Sequence, residues 1–159
     1  MNNMKHLGRL SCALYFEDCT LGTQWTSAGR TILESDLATF VNFAWFHEDL
    51  FTNQDRRPGA AIQGRPVPLA MIFAMSEGLI LPSIDGTGLA FLNVEVDVKA
   101  PTQVGDTIYV HCEVIESKLT SKGDRGLVRT QNTVKNAAGD TVLIYRPLRL
   151  MKLRANTKA

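Results

Sequence analysis

From Pro68 the chain reads PLAMIFAMSEGLILP, apolar on nearly every side, and no other segment restricts the possible folds as much. A helix that is apolar all round has no face to show to water, so other elements must enclose it. Proline is tolerated at a helix's first position, where its missing N–H would be unpaired anyway, and Pro82 stands where the helix should stop. The segment predicts a buried central helix of about 12 residues, well short of the roughly 18 apolar residues needed to span a bilayer. A buried strand is the rival reading; the length and the Ala, Met and Leu content argue against it.

The half that follows supplies strands to wrap the helix. Ala90, Leu92, Val94, Val96 and Val98 alternate with other residues, as do Ile108, Val110, Cys112 and Val114. Gly126 to Lys135 and Thr141 to Leu153 predict two more strands, separated by the turn Asn136-Ala137-Ala138-Gly139-Asp140. Upstream, Glu34, Ser35 and Asp36 offer acidic and capping groups. Leu37, Phe40, Val41 and Ala44 follow at i, i+3, i+4 and i+7, which predicts an amphipathic helix of about three turns. Leu21 to Ile32, with Gly22 and Gly29, suits one short strand leading out of a loop. Glu48 to Arg65 is polar and irregular, holding Asn53, Pro58, Gly59 and Gly64, and reads as a long loop of the kind that often carries function. Helices ahead of a run of strands make an α+β domain, and long antiparallel strands around one apolar helix make a hot-dog fold. One domain is expected over residues 1–159, with its core at about 15–154.

Composition removes several function classes. With 45% hydrophobic and 21% charged residues the chain has ordinary globular proportions, and a formal net charge of +1 creates no general field for nucleic acid or an anionic membrane. Charge is unevenly spread: residues 1–98 carry 6 Lys and Arg against 11 Asp and Glu, whereas 99–159 carry 11 against 5. A basic second half can meet an anionic ligand or form a solvated sheet face. Cys12, Cys19 and Cys112 have no metal spacing, and an odd count suggests reduced thiols. The start, MNNMKHLGRL, lacks the apolar core of a secretory signal. A cytoplasmic protein without metal is expected, with neither nucleic acid nor membrane as partner.

The stretch Phe40 to Asp55, FVNFAWFHEDLFTNQD, carries a family resemblance. It resembles the active-site turn of the MaoC-like (R)-specific enoyl-CoA hydratases, roughly F-x-x-x-x-G-D-x-N-P-L-H-x-D, in which the Asp and His do the acid–base work. Laid on this chain, the Asp falls on Phe46 and the His on Phe51. The likeness runs from about Tyr15 to Arg154, through YFEDCTLG, GRTILESDLATFVNF, GRPVPLAMIFAMSEGL, KAPTQVGDTIYV and NAAGDTVL. The turn is similar to a MaoC-like subgroup of the G-F-H-E-P-L-F type. The resemblance implies a hot-dog fold, a homodimer with tunnels near the interface, and an acyl-CoA thioester as substrate, with no other cofactor.

Hydrating an enoyl thioester needs one group to activate water, another to move a proton to the α-carbon, and donors for the thioester oxygen. Phenylalanine supplies none of these. By the resemblance, the N–H at the start of the central helix faces the thioester carbonyl. That position is Leu69, where related sequences have Gly, so the donor survives while the approach narrows. Pro68 takes the place of another frequent His. His47, Glu48 and Asp49 lie in the same turn, with Asn53 and Asp55 beyond, and Glu48 stands at the family's Asn position. A histidine beside two carboxylates can titrate near neutrality, so His47, Glu48 and Asp49 are the candidate catalytic residues, against a bland reading as solvated surface. Phe46, Phe51, Arg65, Pro68 and Leu69 are the candidate substrate-binding residues, Arg65 with a structural ion pair as its alternative. Trp45, Phe46 and Phe51 suggest an occluded or short pocket.

Other positions are weaker candidates. Glu77 in the central helix can serve thioester hydrolysis, as a helix carboxylate does in some hot-dog thioesterases, or simply form a pair. His111 is expected at solvent or an interface, and Gly105-Asp106 in a turn before a strand. Lys99, Lys122, Arg125 and Arg146 are possible contacts for coenzyme A phosphates. Ser11 and Ser121 lie in no G-x-S-x-G elbow, and neither G-x-G-x-x-G nor a P-loop is present. Three readings remain: a hydratase or dehydratase using His47 and Glu48, a degenerate protein that binds an acyl thioester or acts only as a subunit, and a thioesterase acting through Glu77.

Overall fold

The computed structural model describes residues 5–10, 12–53, 59 and 61–154. Seven strands form one sheet: β1 (His6–Arg9), β2 (Gln24–Thr26), β3 (Arg30–Thr31), β4 (Gly88–Val98), β5 (Thr107–Leu119), β6 (Arg125–Asn136) and β7 (Thr141–Lys152). The order is β1-β2-β5-β6-β7-β4, with β3 also on β5; β1 and β2 are parallel and the other pairs antiparallel. Three helices accompany it: α1 (Glu34–Ala44), α2 (Asp49–Thr52) and α3 (Leu69–Ile80). The chain is α+β and has the hot-dog fold.

Helix α3 is the predicted central helix. It buries Met71, Ile72, Ser76 and Ile80, while β5 offers it the buried row Ile108, Val110, Cys112 and Val114. Each such aliphatic side chain contributes about 1.5–3 kcal/mol by leaving water. Pro68 sits one residue ahead of the expected first position, as the cap. At α1, Asp36 caps from inside the first turn: its Oδ2 accepts the Leu33 N–H at 2.9 Å and its Oδ1 accepts Arg30 Nη2 at 2.8 Å. Those donors, the Leu33 N–H foremost, hold the Asp36 carboxyl below its ordinary range. The turn at 136–140 forms as expected, with the Asp140 N–H donating to Asn136 Oδ1 at 2.9 Å. Gly105 has φ +96°, and Asp106 Oδ2 accepts the Gln103 N–H at 2.9 Å, the local bond expected of that turn.

Three expectations change. The loop from Glu48 opens with a helical turn, α2, because Phe51 is buried and pulls the chain down. Leu21 to Ile32 holds two short strands rather than one, both paired with β5. In β4 the alternation breaks: Phe91 pairs with Arg149, Asn93 with Leu148 and Val94 with Pro147, so the register shifts at Leu92. A bulge of this kind places two residues opposite one and reverses the faces beyond it. Phe91, not Leu92, therefore reaches the inner face, where its ring is 6.4 Å from that of Phe73. Asp55 and Ser11 lie outside the described residues.

Candidate functional site

Helix α1 ends at Trp45, whose φ of 59° is left-handed, the conformation that glycine normally supplies at a helix C-terminus. The family pattern has Gly there; Trp45 takes it at a cost of about 1–2 kcal/mol and stands 86% exposed. The reversal at Trp45 sends the next residues back over α1. Phe40 and Phe46 have ring centroids 5.6 Å apart, and Phe46 and Phe51 are 6.0 Å apart, so three aromatic rings in series tie α1 to α2. Phe46 and Phe51, the positions where the resemblance puts an acid–base pair, thus form one packed wall. His47, Glu48 and Asp49 are exposed on the outer side of this turn. The His47 ring lies 6.1 Å from that of Trp45.

Arg65 braces the arrangement. Its Nη2 meets Glu34 Oε1 at 2.6 Å, its Nε donates to Glu34 Oε2 at 3.2 Å, and its Nη1 donates to the Phe51 carbonyl. The Arg65 guanidinium holds the Glu34 carboxyl below its usual range. Residues 65–67 then run beside 102–104, with the Val67 N–H on the Thr102 carbonyl at 2.9 Å and the Val104 N–H on the Arg65 carbonyl at 3.0 Å. Gly64 has φ +82°, and a Cβ there would come within 2.1 Å of Gln103 Oε1. This clamp fixes where α3 begins.

A cavity of about 190 Å³ opens at that point. Leu50 and Phe51 of α2 form one wall, Pro68, Leu69 and Ile72 of α3 another, and Leu143 of β7 lies on the sheet side. Among the described residues Thr102 is its one polar lining residue, and none titrates. Met71 and Ile72 donate their N–H groups to the Pro68 carbonyl, whereas those of Leu69 and Ala70 meet no acceptor among the described residues. Free N–H groups with the positive end of the helix dipole make this rim favourable for an oxygen gaining negative charge. So Phe51, Pro68 and Leu69 meet at one cavity, Arg65 and Phe46 support its wall, and His47, Glu48 and Asp49 stand outside it.

A wider groove of about 530 Å³ runs between α1 and α3, past Phe40, Phe43, Met71 and Met75. Of its polar lining, Arg30 and Asp36 pair with each other and Thr39 remains, and neither Leu69 nor Ala70 lines it. The smaller cavity is therefore the better site. The remaining candidates are scattered. Glu77 is bound by Arg149 at 2.5 and 2.7 Å, Arg146 pairs with Asp97 at 2.9 Å on the outer sheet face, and His111 is exposed, 3.3 Å from Thr26 Oγ1. Among the described residues no group of three or more His, Cys, Asp or Glu can hold a metal, and no helix is long and apolar enough to cross a membrane. Sequence reasoning missed Thr102 and Glu34. Thr102 carries no motif of its own, and Glu34 precedes its partner by 31 residues.

No protein-family model matches the chain, and no curated protein matches it significantly. Solved structures do. A monoamine oxidase regulatory protein from Archaeoglobus fulgidus is 22% identical with a TM-score of 0.80, over 96% of this chain and 99% of that one. A putative MaoC domain protein dehydratase from Chloroflexus aurantiacus is 22% identical with a TM-score of 0.86; the match covers 94% of this chain and 43% of that one. An (R)-hydratase from Pseudomonas aeruginosa is 20% identical with a TM-score of 0.71, over 90% and 88% of the two chains. The shared feature is the fold, the one adopted by MaoC-like dehydratases and (R)-hydratases.

Proposed function

We propose that this hot-dog chain is a member of the dehydratase and hydratase group that acts on an acyl-CoA type thioester, adding water reversibly to a 2-enoyl group. The observation that carries the reading is the apolar cavity ending at the start of α3, where the cap residue Pro68 makes no side-chain hydrogen bond. An acyl chain fills such a cavity, and the thioester carbonyl then meets the Leu69 and Ala70 N–H groups, which stabilise an oxygen as it gains charge. With phenylalanine at both family positions, His47 is the group assigned to proton transfer, with Glu48 and Asp49 beside it. Arg65 acts by holding Phe51 in place. No cofactor besides the thioester is invoked, and the cytoplasm is the expected location.

A homodimer fits the same reading. Among the described residues edge strand β4 pairs only with β7; it is 11 residues long and leaves Phe91, Leu92, Val96 and Val98 between 39% and 57% exposed. A long apolar edge of that kind is a template for another strand, and a second copy supplies one.

A second reading, an acyl-thioester binder without chemistry, draws on the cavity lining, which among the described residues holds no titratable side chain. One assay separates the two. Purified protein is mixed with crotonyl-CoA and with a branched enoyl-CoA, and the enoyl thioester absorbance is followed beside His47→Ala and Glu48→Ala. Loss of the band with wild type but not with His47→Ala supports the hydratase. An unchanged band, with ligand binding seen by calorimetry, rejects it in favour of the binder.

A further inference from the structure

The cavity at the start of α3 is small and, among the described residues, lined by aromatic and aliphatic side chains and Thr102, with no charged one. From these properties we infer that it selects a short, uncharged acyl group, with Leu69 and Phe51 setting the length. This rests on the acyl-thioester reading and goes on to name the acyl class.

Size comes first. About 190 Å³ is below the roughly 300–1,000 Å³ typical of sites for drug-sized ligands. At about 30 Å³ for each water-sized group, it takes on the order of six such groups, an acyl chain of about four to six carbons. The walls cannot easily retreat. Phe51 is 8% exposed and is backed by the ring of Phe46, itself backed by Phe40, and the Phe51 carbonyl is held by Arg65. Ile72 and Leu143, on the helix and sheet sides, are 3% and 1% exposed. Leu69 is 44% exposed, and it is the wall residue with room to move.

Charge comes second. An acyl group ending in a carboxylate needs a cation or several donors inside the cavity, because a buried unpaired carboxylate is far more costly than a buried amide or hydroxyl. Among the described residues no cation lines it, and Arg65, just ahead of α3, is already engaged by Glu34 and the Phe51 carbonyl. Thr102 offers one hydroxyl, enough for a neutral oxygen and not for a carboxylate. A branched or straight aliphatic group gains from every wall it touches.

The test is a calorimetric series on the intact protein with acetyl-, butyryl-, hexanoyl-, octanoyl- and succinyl-CoA, and with free coenzyme A. Each methylene buried should tighten binding by about fourfold, so butyryl-CoA should bind about 16-fold tighter than acetyl-CoA. Octanoyl-CoA should bind more weakly than hexanoyl-CoA. Succinyl-CoA, close to butyryl-CoA in size, should bind at least about 100-fold more weakly. Leu69→Gly, which leaves the backbone donor in place, should move the optimum to a longer chain. Succinyl- or octanoyl-CoA binding as tightly as butyryl-CoA overturns the inference alone, whereas free coenzyme A binding equally well overturns the acyl-thioester reading with it. No binding by any thioester overturns the acyl-thioester reading, and this inference with it.

Discussion

Glu77→Ala removes the partner of Arg149, and the structure sets the size of the response. The Arg149 side chain is 6% exposed and that of Glu77 21%, with their atoms 2.5 and 2.7 Å apart. The guanidinium also lies 5.1 Å from the centroid of Phe91. Removing one partner of a buried pair costs about 3–5 kcal/mol, because the other charge stays buried without compensation. Water reaches part of Glu77, so the low end, about 3 kcal/mol, applies here. For a domain of this length each kcal/mol moves Tm by about 2–4 °C, which gives a fall of about 6–12 °C. Replacing both partners, as in Glu77→Leu with Arg149→Met, leaves no orphaned charge and should return stability to within about 1 kcal/mol of wild type.

Urea unfolding of wild type, Glu77→Leu, Arg149→Met and the double variant closes a double-mutant cycle, with Glu77→Ala measured beside them. A loss below about 1 kcal/mol for Glu77→Ala, or a double variant as unstable as the single one, refutes the reasoning. The outcome bears on chemistry too. A carboxylate whose two oxygens both accept from Arg149 is occupied in holding α3 to β7, and a water-activating role in thioester hydrolysis would have to break that pair. Glu77→Gln with unchanged stability and lost thioester hydrolysis would reverse the assignment.

Other expectations follow from single contacts. Gly126→Ala should cost about 1–3 kcal/mol by thermal melting, since the new Cβ would come within 1.9 Å of the Phe16 ring. Trp45→Gly should be neutral or stabilising by up to about 1 kcal/mol in urea, because it relieves the left-handed φ at the cost of chain entropy. Partial desolvation by its strand neighbours first, then the charges of Lys135 and His6, push the pKa of the largely exposed His111 below its ordinary 6.5, so the folded state prefers the neutral ring. Its contribution is present above about pH 6.5 and falls as pH drops below that value, and His111→Gln should flatten the loss of urea stability between pH 7.5 and 5.5. Leu92→Lys, a charge on the free edge of β4, should convert a dimer to a monomer in sedimentation; a wild-type monomer refutes the edge-pairing argument.

How much of this was readable from residues alone depends on the range of the forces involved. The central helix and strands β5, β6 and β7 announce themselves because one face of each is buried, and burial imposes a period on the sequence. Strand β1 and helix α2, four residues each, have no room for a period and exist through tertiary contacts, Phe51 in the case of α2. The β4 bulge is invisible for a related reason: its apolar residues continue on both sides of the slip, so nothing local marks where the faces exchange. At the site, the turn pattern drew attention to Phe46 and Phe51 as missing acid–base groups, and the structure adds what they do instead. A polar pair that loses one member leaves the other buried and unsatisfied, which is costly, whereas exchanging both for apolar groups can be nearly neutral. The rings of Phe40, Phe46 and Phe51, in series at 5.6 and 6.0 Å, leave no polar group unpaired at these positions. Where the resemblance puts proton-transfer groups, this chain has an aromatic wall, and the titratable groups of the turn among the described residues, His47, Glu48 and Asp49, stand on its outer side.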